Sequence, residues 1–368
     1  MLNIGLSSWG HLGNKLHAKD DPTGTSTYMM WVIDALKKVD PTNKIYWLQK
    51  DRDLKGYLEY GFNAYFGNFL SDKRRSSYDS LIHTHFDILQ KNFPNLDILI
   101  LEWRMPISGR NCINGQIDDE IIKQVPNDDL YIQKLLLEHY SNTDTKIVIL
   151  DLDMMCPNDI KTNARYKVLR LGVPGPNTFH LPVDWQDVFS CRADNEKQLD
   201  MDYLITYIGN NYDRDNDVTK WIHPISEKFP SGVHFYGNWT KYPDKFELIK
   251  NRWPYINYHD RITPMEFGDI YGKTYAVPLL AKNLYKQNGF MTHRFIECMM
   301  FGSLPLGLED FKDIDTYLPK DLILSGDTGI LPEILENISH NRNKLYGEIV
   351  DMNIDSFSYP QFLKAVLE

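Results

Sequence analysis

The sequence predicts an α/β protein with two successive domains, each containing a mainly parallel sheet between helices. Its 368 residues exceed the length of a usual single domain. Apolar strand segments alternate with helical patterns in both halves of the chain. Between the halves, VPGPNTFHLPVDW at 173–185 contains three prolines, which is typical of a linker.

The first half opens with a strand, a loop, a helix and a strand, which is the unit of a doubly wound sheet. The segment LNIGLS at 2–7 predicts the first strand, and YMMWVIDALKKV at 28–39 has apolar residues at helical spacing. The run LDILILE at 96–102 is almost wholly apolar, as in a parallel strand buried on both faces. Further strands are predicted at 44–49, 146–151 and 166–172, and a helix within 118–140, whereas residues 50–90 follow no regular pattern.

The strand and helix pattern starts again after the linker. Strands are predicted at 202–209, 232–237, within 271–280 and at 304–308, and helices at 217–229, 292–302, 330–338 and 358–368. We therefore expect domains at 1–183 and 184–350, followed by a separate closing segment at 351–368. Two α/β domains joined by a linker usually bind a ligand in the cleft between them.

The composition argues against several classes of protein. A net charge of −10 is unfavourable for coating nucleic acid through bulk electrostatics, although it leaves room for a local basic groove. No segment approaches the ~20 apolar residues of a membrane helix, and the start MLNIGLSSWG lacks the features of a signal peptide. Four scattered cysteines without metal spacing fit a reducing cytosol. We therefore expect a cytoplasmic protein without membrane contact.

The segment TYIGNNYDRDND at 206–217 joins a predicted strand to a predicted helix. In open α/β sheets, anions bind at this kind of junction, where the N-terminus of the helix offers free N–H groups. Gly209 permits a close backbone approach, and Arg214 is suited to clamping a phosphate. The alternative is a solvated polar loop, because a single glycine is not a dinucleotide fingerprint.

The segment GFMTHRFIECMMFGSLPLG at 289–307 places Arg294 and Glu297 three residues apart, on one face of a predicted helix. The simplest interpretation is a surface ion pair. The functional interpretation is a nucleotide site in which Glu297 accepts both hydroxyls of a ribose and Arg294 meets a diphosphate.

The segment KIVILDLDMM at 146–155 places Asp151 and Asp153 directly after a predicted strand. Four interpretations are open: a metal-binding Asp-x-Asp pair, a phosphotransferase nucleophile pair, a single general base, or aspartates that cap the next turn. A phosphotransferase usually has threonine or valine at the position of Met155, and its strand stands at the N-terminus.

The order and spacing of several segments resemble the phage DNA β-glucosyltransferases of T-even type. These segments are the polar loop after Gly209, HFYGN at 234–238, RITPMEFGDIYGKTYAVPL at 261–279 and THRFIECMMFGSLPLGLEDF at 292–311. The resemblance implies a GT-B fold, in which two Rossmann-like domains face each other across a central cleft and a C-terminal helix crosses back to the first. It also implies an inverting transfer of a sugar from a UDP-sugar to 5-hydroxymethylpyrimidine in phage DNA.

The resemblance also assigns roles to individual residues. Glu297 matches the ribose-binding glutamate, Arg294 the arginine one turn before it, and Ile262 the position whose backbone contacts the uracil. Arg214 lies where the family has phosphate-binding arginines, and Gly209 opens that loop. Asp153 matches the catalytic aspartate, which makes the metal and phosphotransferase interpretations less favourable.

The expected acceptor is duplex DNA with hydroxymethylated bases, bound by the first domain. The family has an acidic residue near the start of its first long helix; Ser26 stands near that position here, so Asp20 or Asp21 is expected to reach in. Candidate phosphate contacts are Arg74 and Arg75 in the run DKRRSS, and Arg104 and Arg110 after the third strand.

The expected donor is a UDP-sugar, by resemblance UDP-glucose. A divalent metal on its diphosphate is compatible with the family, but the sequence predicts no metal site held by the protein. We expect a monomer acting in the host cytoplasm if the chain is phage-encoded. The alternative function is a GT-B glycosyltransferase that modifies a surface glycan or polysaccharide.

Overall fold

The computed structural model describes most of the chain. The described residues are 1–7, 25–48, 80–84, 87–88, 90–103, 112–113, 116–117, 129–152, 154, 156, 158–196, 202–211, 213–241, 243–262, 266–326 and 331–368.

The first half forms a seven-stranded parallel sheet in the order β3-β2-β1-β4-β7-β8-β9. Its strands are β1 Asn3–Ser7, β2 Lys44–Trp47, β3 Ile82–His83, β4 Ile98–Trp103, β7 Lys146–Asp151, β8 Tyr166–Leu171 and β9 Thr178–Phe179, while β5 Cys112–Ile113 and β6 Gln116–Ile117 form a separate antiparallel pair. All six residues of β4 are buried, because helices cover both faces of the sheet.

The second half forms a six-stranded parallel sheet in the order β12-β11-β10-β13-β14-β15. Its strands are β10 Tyr203–Ile208, β11 Val233–Tyr236, β12 Asn257–His259, β13 Thr274–Pro278, β14 Leu304–Leu308 and β15 Ile323–Leu324. The strand order reverses between β10 and β13, and such a switch point opens a crevice at the carboxyl ends of the strands.

Eleven helices in the described residues pack around the two sheets. They are α1 Thr25–Val39, α2 Asp129–Tyr140, α3 Asn158–Lys161, α4 Trp185–Glu196, α5 Asp215–Lys228 (including a π-helical stretch Val218–Ile222), α6 Pro243–Arg252, α7 Phe267–Tyr271, α8 Asn283–Gln287, α9 Arg294–Met300, α10 Leu331–Asn353 and α11 Tyr359–Leu367. In this part of the chain, no helix is both long enough and apolar enough to cross a membrane.

The predicted fold class is confirmed, and the differences concern individual elements. Helix α6, helix α4 and the short strand β12 were missed. Helix α6 has no fully buried residue, and its apolar side is narrow, with Phe246 and Ile249 only half-buried. The helix predicted at 330–338 continues to Asn353, across a non-helical residue at Asn341. The division into 1–183, 184–350 and 351–368 stays a prediction.

The closing helix α11 returns to the first sheet, as the fold class predicted. The hydroxyl of Tyr359 donates to Asp34 in α1 over 3.1 Å, and the ammonium of Lys38 lies 4.7 Å from the centre of the same ring. At the other end of α11, the ammonium of Lys146 donates to the carbonyl oxygen of Leu367 over 2.8 Å. These contacts fasten the end of the chain to the first half.

Helix α4 links the first half of the chain to α9, whose N-terminus borders the pocket described below. It follows the linker and packs against α9. The indole N–H of Trp31, in α1, donates to Asp187 of α4 over 3.2 Å. A continuous apolar core therefore extends from the first sheet through α4 into the second sheet.

Candidate functional site

A pocket of about 250 Å³ lies at the carboxyl ends of β10 and β11 and at the N-terminus of α9. The predicted residues Gly209, Ile262, Arg294 and Glu297 all line it, although 88 residues of sequence separate the first from the last. Parallel strands bring their carboxyl ends to one edge of the sheet, which is why residues so far apart in the chain meet here. The location is the one at which open α/β sheets bind ligands.

Two glycines bring the backbone to the wall of the pocket. A Cβ on Gly209 would lie 2.6 Å from Nη2 of Arg294 and 2.7 Å from the hydroxyl oxygen of Tyr207, so no larger residue fits without a shift. Gly237 has φ +154°, and a Cβ there would overlap the carbonyl oxygen of Gly209. The indole N–H of Trp239 donates to that same carbonyl over 2.8 Å and holds the loop in place.

Two asparagines fix the loop after β10 against the loop after β11. The side-chain oxygen of Asn238 accepts the backbone N–H of Asn211 over 2.7 Å. In return, the side-chain oxygen of Asn210 accepts the backbone N–H of Asn238 over 3.2 Å. The loop that looked like a solvated polar segment is therefore rigidly tied, which a binding loop requires.

Arg294 supplies a fixed positive charge at the pocket. Its Nε donates to the carbonyl oxygen of Ile208 over 3.0 Å, and its guanidinium lies 4.5 Å from the centre of the Tyr207 ring. Burial disfavours the charge, but the neighbouring Tyr207, Tyr271 and Glu297 outweigh it and raise the pKa of Arg294. The guanidinium thus stays charged and turns Nη2 towards Gly209.

Glu297 is 8% exposed and lies one turn inside α9. Nδ1 of His293 lies 3.1 Å from its Oε1, and since a carboxylate only accepts, the imidazole donates. The His293 ring also lies 5.6 Å from the ring of Trp31 in α1. One end of the pocket is therefore in contact with the first half of the chain.

Arg214 lies behind the loop rather than among the residues that line the pocket. It is 8% exposed, and it donates to the carbonyl oxygen of Asn210 over 2.9 Å and to that of Leu280 over 3.4 Å. Arg294 donates to the same Leu280 oxygen over 3.3 Å. The direct phosphate contact predicted for Arg214 stays a prediction; what the structure places there is support for the loop.

Sequence reasoning missed a buried ionic cluster beneath the N-terminus of α5. The ammonium of Lys286 donates to Asp217 and, over 2.7 Å, to Asp310, and it is itself 4% exposed. Burial raises the pKa of Asp217. The hydrogen bonds that Lys286 donates to its two carboxylate partners outweigh its own burial and raise the pKa of Lys286. Asp217 follows Arg214 by three residues, so this cluster anchors the helix start below the loop.

In the first half, the structure describes Asp151 but not Asp153. Asp151 is fully buried; its Oδ1 accepts the backbone N–H of Cys156 over 2.9 Å, so it stabilises the turn after β7. Lys161 and Arg170 place cationic nitrogens 3.7 Å and 4.0 Å from its Oδ2. Met154 has φ +57°, a strained backbone in the same turn.

The other predicted site residues of the first half lie outside the described residues, namely Asp21, Arg74, Arg75, Arg104 and Arg110. Their roles stay predictions. Among the residues that the structure describes, no group of three or more His, Cys, Asp or Glu side chains is placed to hold a metal ion.

Solved glucosyltransferase structures are similar to this chain over its whole length. An α-glucosyltransferase in complex with UDP and a 13-mer DNA containing an HMU base has a TM-score of 0.60 and 13% sequence identity, with 100% of both chains covered. T4 phage BGT in complex with its UDP-glucose substrate has a TM-score of 0.55 and 13% identity, with 99% of both chains covered. The fold is the GT-B fold. No family model matches the sequence, and no curated protein is significantly similar to it in sequence.

In this GT-B fold, the pocket belongs to the second of the two Rossmann-like sheets. Its edge nearest the first sheet is formed by His293 and Glu297, through the contact with Trp31. The sequence signal that found Arg294 and Glu297 was their spacing on a helix. No comparable signal marks Tyr207, Asn210 or Trp239, because a loop is assembled by contacts distant in sequence.

Proposed function

We propose that the protein is a glycosyltransferase that moves a sugar from a UDP-sugar to DNA. The observation that carries the proposal is the joint presence of Arg294 and Glu297 in one pocket that Gly209 and Gly237 also line. A cation, a carboxylate and a wall without side chains at a strand-end crevice are the features that a diphosphate, a ribose diol and a closely packed nucleotide require. The similar structures support the choice, since they were solved with UDP, UDP-glucose or DNA.

We assign a part of the donor to each group of the pocket. The guanidinium of Arg294 neutralises the diphosphate, and the carboxylate of Glu297 accepts the two ribose hydroxyls. The backbone at Ile262 contacts the uracil. Arg214 and the cluster around Lys286 hold the loop beside the phosphates. A divalent metal, if bound, would lie on the diphosphate, and T4 phage BGT has been solved with UDP and Mn²⁺.

The finer proposal is an inverting transfer to the hydroxymethyl group of a 5-hydroxymethylpyrimidine. Asp153, at the carboxyl end of β7, takes the proton from the acceptor hydroxyl as its oxygen attacks the anomeric carbon. The bond from that carbon to the UDP oxygen breaks, and UDP leaves with the electron pair. Attack from the opposite face inverts the configuration of an α-linked donor. The strained backbone at Met154 supports a functional turn here.

We propose that residues 1–183 bind the DNA, residues 184–350 bind the donor, and residues 351–368 return to the first domain. A target base in a duplex has to leave the stack to reach Asp153. Because DNA and UDP-sugars meet in the host cytoplasm, we propose that the protein acts there, as a monomer.

The test is incubation with radiolabelled UDP-glucose and duplexes that carry cytosine, 5-hydroxymethylcytosine or 5-hydroxymethyluracil. We expect label only in hydroxymethylated DNA, and a β-anomeric proton signal in the product. Asp153→Asn should nearly abolish transfer while UDP binding survives, and Asp159→Asn, an exposed neighbour, should leave both unchanged. Label in a glycan acceptor and in no duplex would overturn the DNA proposal, and an α-linked product would overturn inversion.

A further inference from the structure

A second and larger concavity, of about 610 Å³, lies on the outer part of the first sheet. Five cationic residues line it, and we call their surface the basic groove. They are Lys146, Lys161, Arg165, Lys167 and Arg170. They come from the start of β7, from α3, from the turn before β8 and from β8 itself, and Asn177 and Thr178 at the start of β9 complete the wall.

The concavity lies where the connection between β7 and β8 leaves β8 uncovered. In the described part of that connection, the helix is α3, whose four residues are too few to cover β8. Arg165 fixes the return of the chain, because its Nη2 donates to the carbonyl oxygens of Tyr140, Thr143 and Thr145. The floor of the basic groove is thus rigid, and its cations are presented by ordered elements.

Two carboxylates near the basic groove, those of Asp151 and Glu368, offset only part of the charge of its five cations. The carboxylate of Asp151 lies beside Lys161 and Arg170, but it is fully buried beneath them. Burial and then repulsion by Lys167 lower the pKa of Lys146, and Glu368 opposes them only in part. The remaining positive charge makes this surface a local attraction for anions on a protein whose net charge is −10.

The dimensions favour an extended anion over a small one. The groove extends from Lys146, at the start of β7, to Arg170 of β8, which pairs with Asp151 five residues along β7. Five residue steps of about 3.3 Å give a length of about 17 Å. One strand of a DNA duplex advances about 3.4 Å for each phosphate, so this length matches about five nucleotides. Amide and hydroxyl groups, here from Asn177 and Thr178, are common partners of phosphate oxygens.

We propose that the basic groove binds the sugar–phosphate backbone of duplex DNA, without regard to sequence, and holds the duplex beside the reacting base. The inference rests on the proposed function for the identity of the polymer. The link between groove and chemistry is geometric: Lys161 and Arg170 lie within 4.0 Å of Asp151, and Asp153 follows two residues later. A backbone held in the groove therefore passes the carboxyl end of β7.

The test measures binding of an unmodified duplex at a series of salt concentrations. The variant is Lys146→Gln with Lys167→Gln, which leaves the partners of the buried Asp151 untouched. A plot of log K against log[salt] has a negative slope, and each lost phosphate contact makes it less steep by about 0.9. Loss of the two contacts made by Lys146 and Lys167 should therefore make the slope less steep by about 1.8. At 0.1 M salt the affinity should fall about 60-fold, if both proteins bind equally at 1 M.

The matched control is Lys312→Gln with Lys344→Gln, which removes the same net charge at two exposed positions of the second half. We expect it to keep the wild-type slope. UDP affinity of the groove variant reports on folding and should match the wild type. Its melting temperature should fall only slightly, because Lys146→Gln removes the hydrogen bond to Leu367. Equal slopes for the groove variant and the control would overturn the proposal.

The groove and the proposed function fail in different ways. If wild-type protein glucosylates hydroxymethylated DNA and the groove variant keeps its DNA affinity, the proposal that the basic groove binds DNA is wrong and the proposed function is supported. If DNA binding depends on the groove but no sugar is transferred to any duplex, the proposed function is wrong and DNA binding in the basic groove is supported. Groove-dependent binding of a polyanionic glycan such as heparin, without DNA binding, would overturn the assignment to DNA.

Discussion

His293 donates its Nδ1 proton to Glu297, 3.1 Å away and one helical turn further along α9. Both residues line the pocket. The imidazole ring of His293 also packs against the ring of Trp31, in α1 of the first half. A hydrogen bond of this kind holds a carboxylate in one orientation, and a ribose diol needs both carboxylate oxygens in a fixed plane. His293 is therefore a positioning residue for Glu297 in the proposed donor site.

Replacing His293 should weaken UDP binding according to whether a donor remains. His293→Asn keeps an N–H near the position of Nδ1, and we expect less than a twofold change in Kd. His293→Phe keeps a ring against Trp31 but removes the donor, which should raise Kd about fivefold, corresponding to about 1 kcal/mol. Isothermal titration with UDP measures both. Equal losses in the two variants would show that His293 acts by packing alone.

Glu297→Ala should weaken UDP binding about tenfold, because the ribose hydroxyls lose a charged acceptor. The discriminating ligand is 2′,3′-dideoxy-UDP, which has no diol. Wild type and variant should bind it with the same affinity, and wild type should bind it more weakly than UDP. A variant that loses affinity equally for both ligands would place Glu297 in the fold of the pocket rather than at the ribose.

The sequence predicted the two sheets and the donor pocket better than the surface of the first half. Arg294 and Glu297 were found because helical spacing places them on one face, and Gly209 because a glycine after a strand marks a close approach. Lys286 gave no signal, since its partners Asp217 and Asp310 are distant in sequence. His293 stands four residues before Glu297, so helical spacing could have found that pair, but its contact with Trp31 arises only in the folded protein. The sequence did not reveal the basic groove. Lys167 and Arg170 stand among the apolar residues of a predicted strand, and Lys161 and Arg165 stand in the segment before it.

Gly237→Ala should destabilise the protein by about 1–3 kcal/mol, because the new Cβ overlaps the carbonyl oxygen of Gly209 in a backbone region that L-residues avoid. UDP affinity should fall with it, since that carbonyl belongs to the pocket loop. The control is Gly347→Ala within α10, where no atom lies within 4 Å of a new Cβ. Alanine is the better helix former, so this variant should gain about 0.5–1 kcal/mol. Chemical denaturation measures both changes, and a destabilised Gly347→Ala with an unaffected Gly237→Ala would contradict them.

His180, packed against Phe357 near the end of the chain, makes the stability of the protein depend on pH. Its ring stacks on Phe357 at 4.1 Å between centroids, and neither ring nitrogen has a hydrogen-bond partner in the described residues. Burial lowers its pKa from 6.5 to about 3. The folded protein therefore keeps the ring neutral while the unfolded chain takes up a proton below pH 6.5. Stability is complete above that pH and falls as the pH decreases towards 3.

A His180→Phe variant should not show this part of the acid sensitivity. One pKa unit corresponds to about 1.4 kcal/mol, so between pH 7.5 and pH 5 the wild type should lose about 2 kcal/mol more than the variant. Urea denaturation at a series of pH values gives the difference directly. His83→Phe, at a position exposed on β3, is the control and should follow the wild-type pH profile. If His180→Phe shows the same dependence of stability on pH as the wild type, the His180 ring takes up a proton in the folded protein. Its packing against Phe357 would then not exclude the proton.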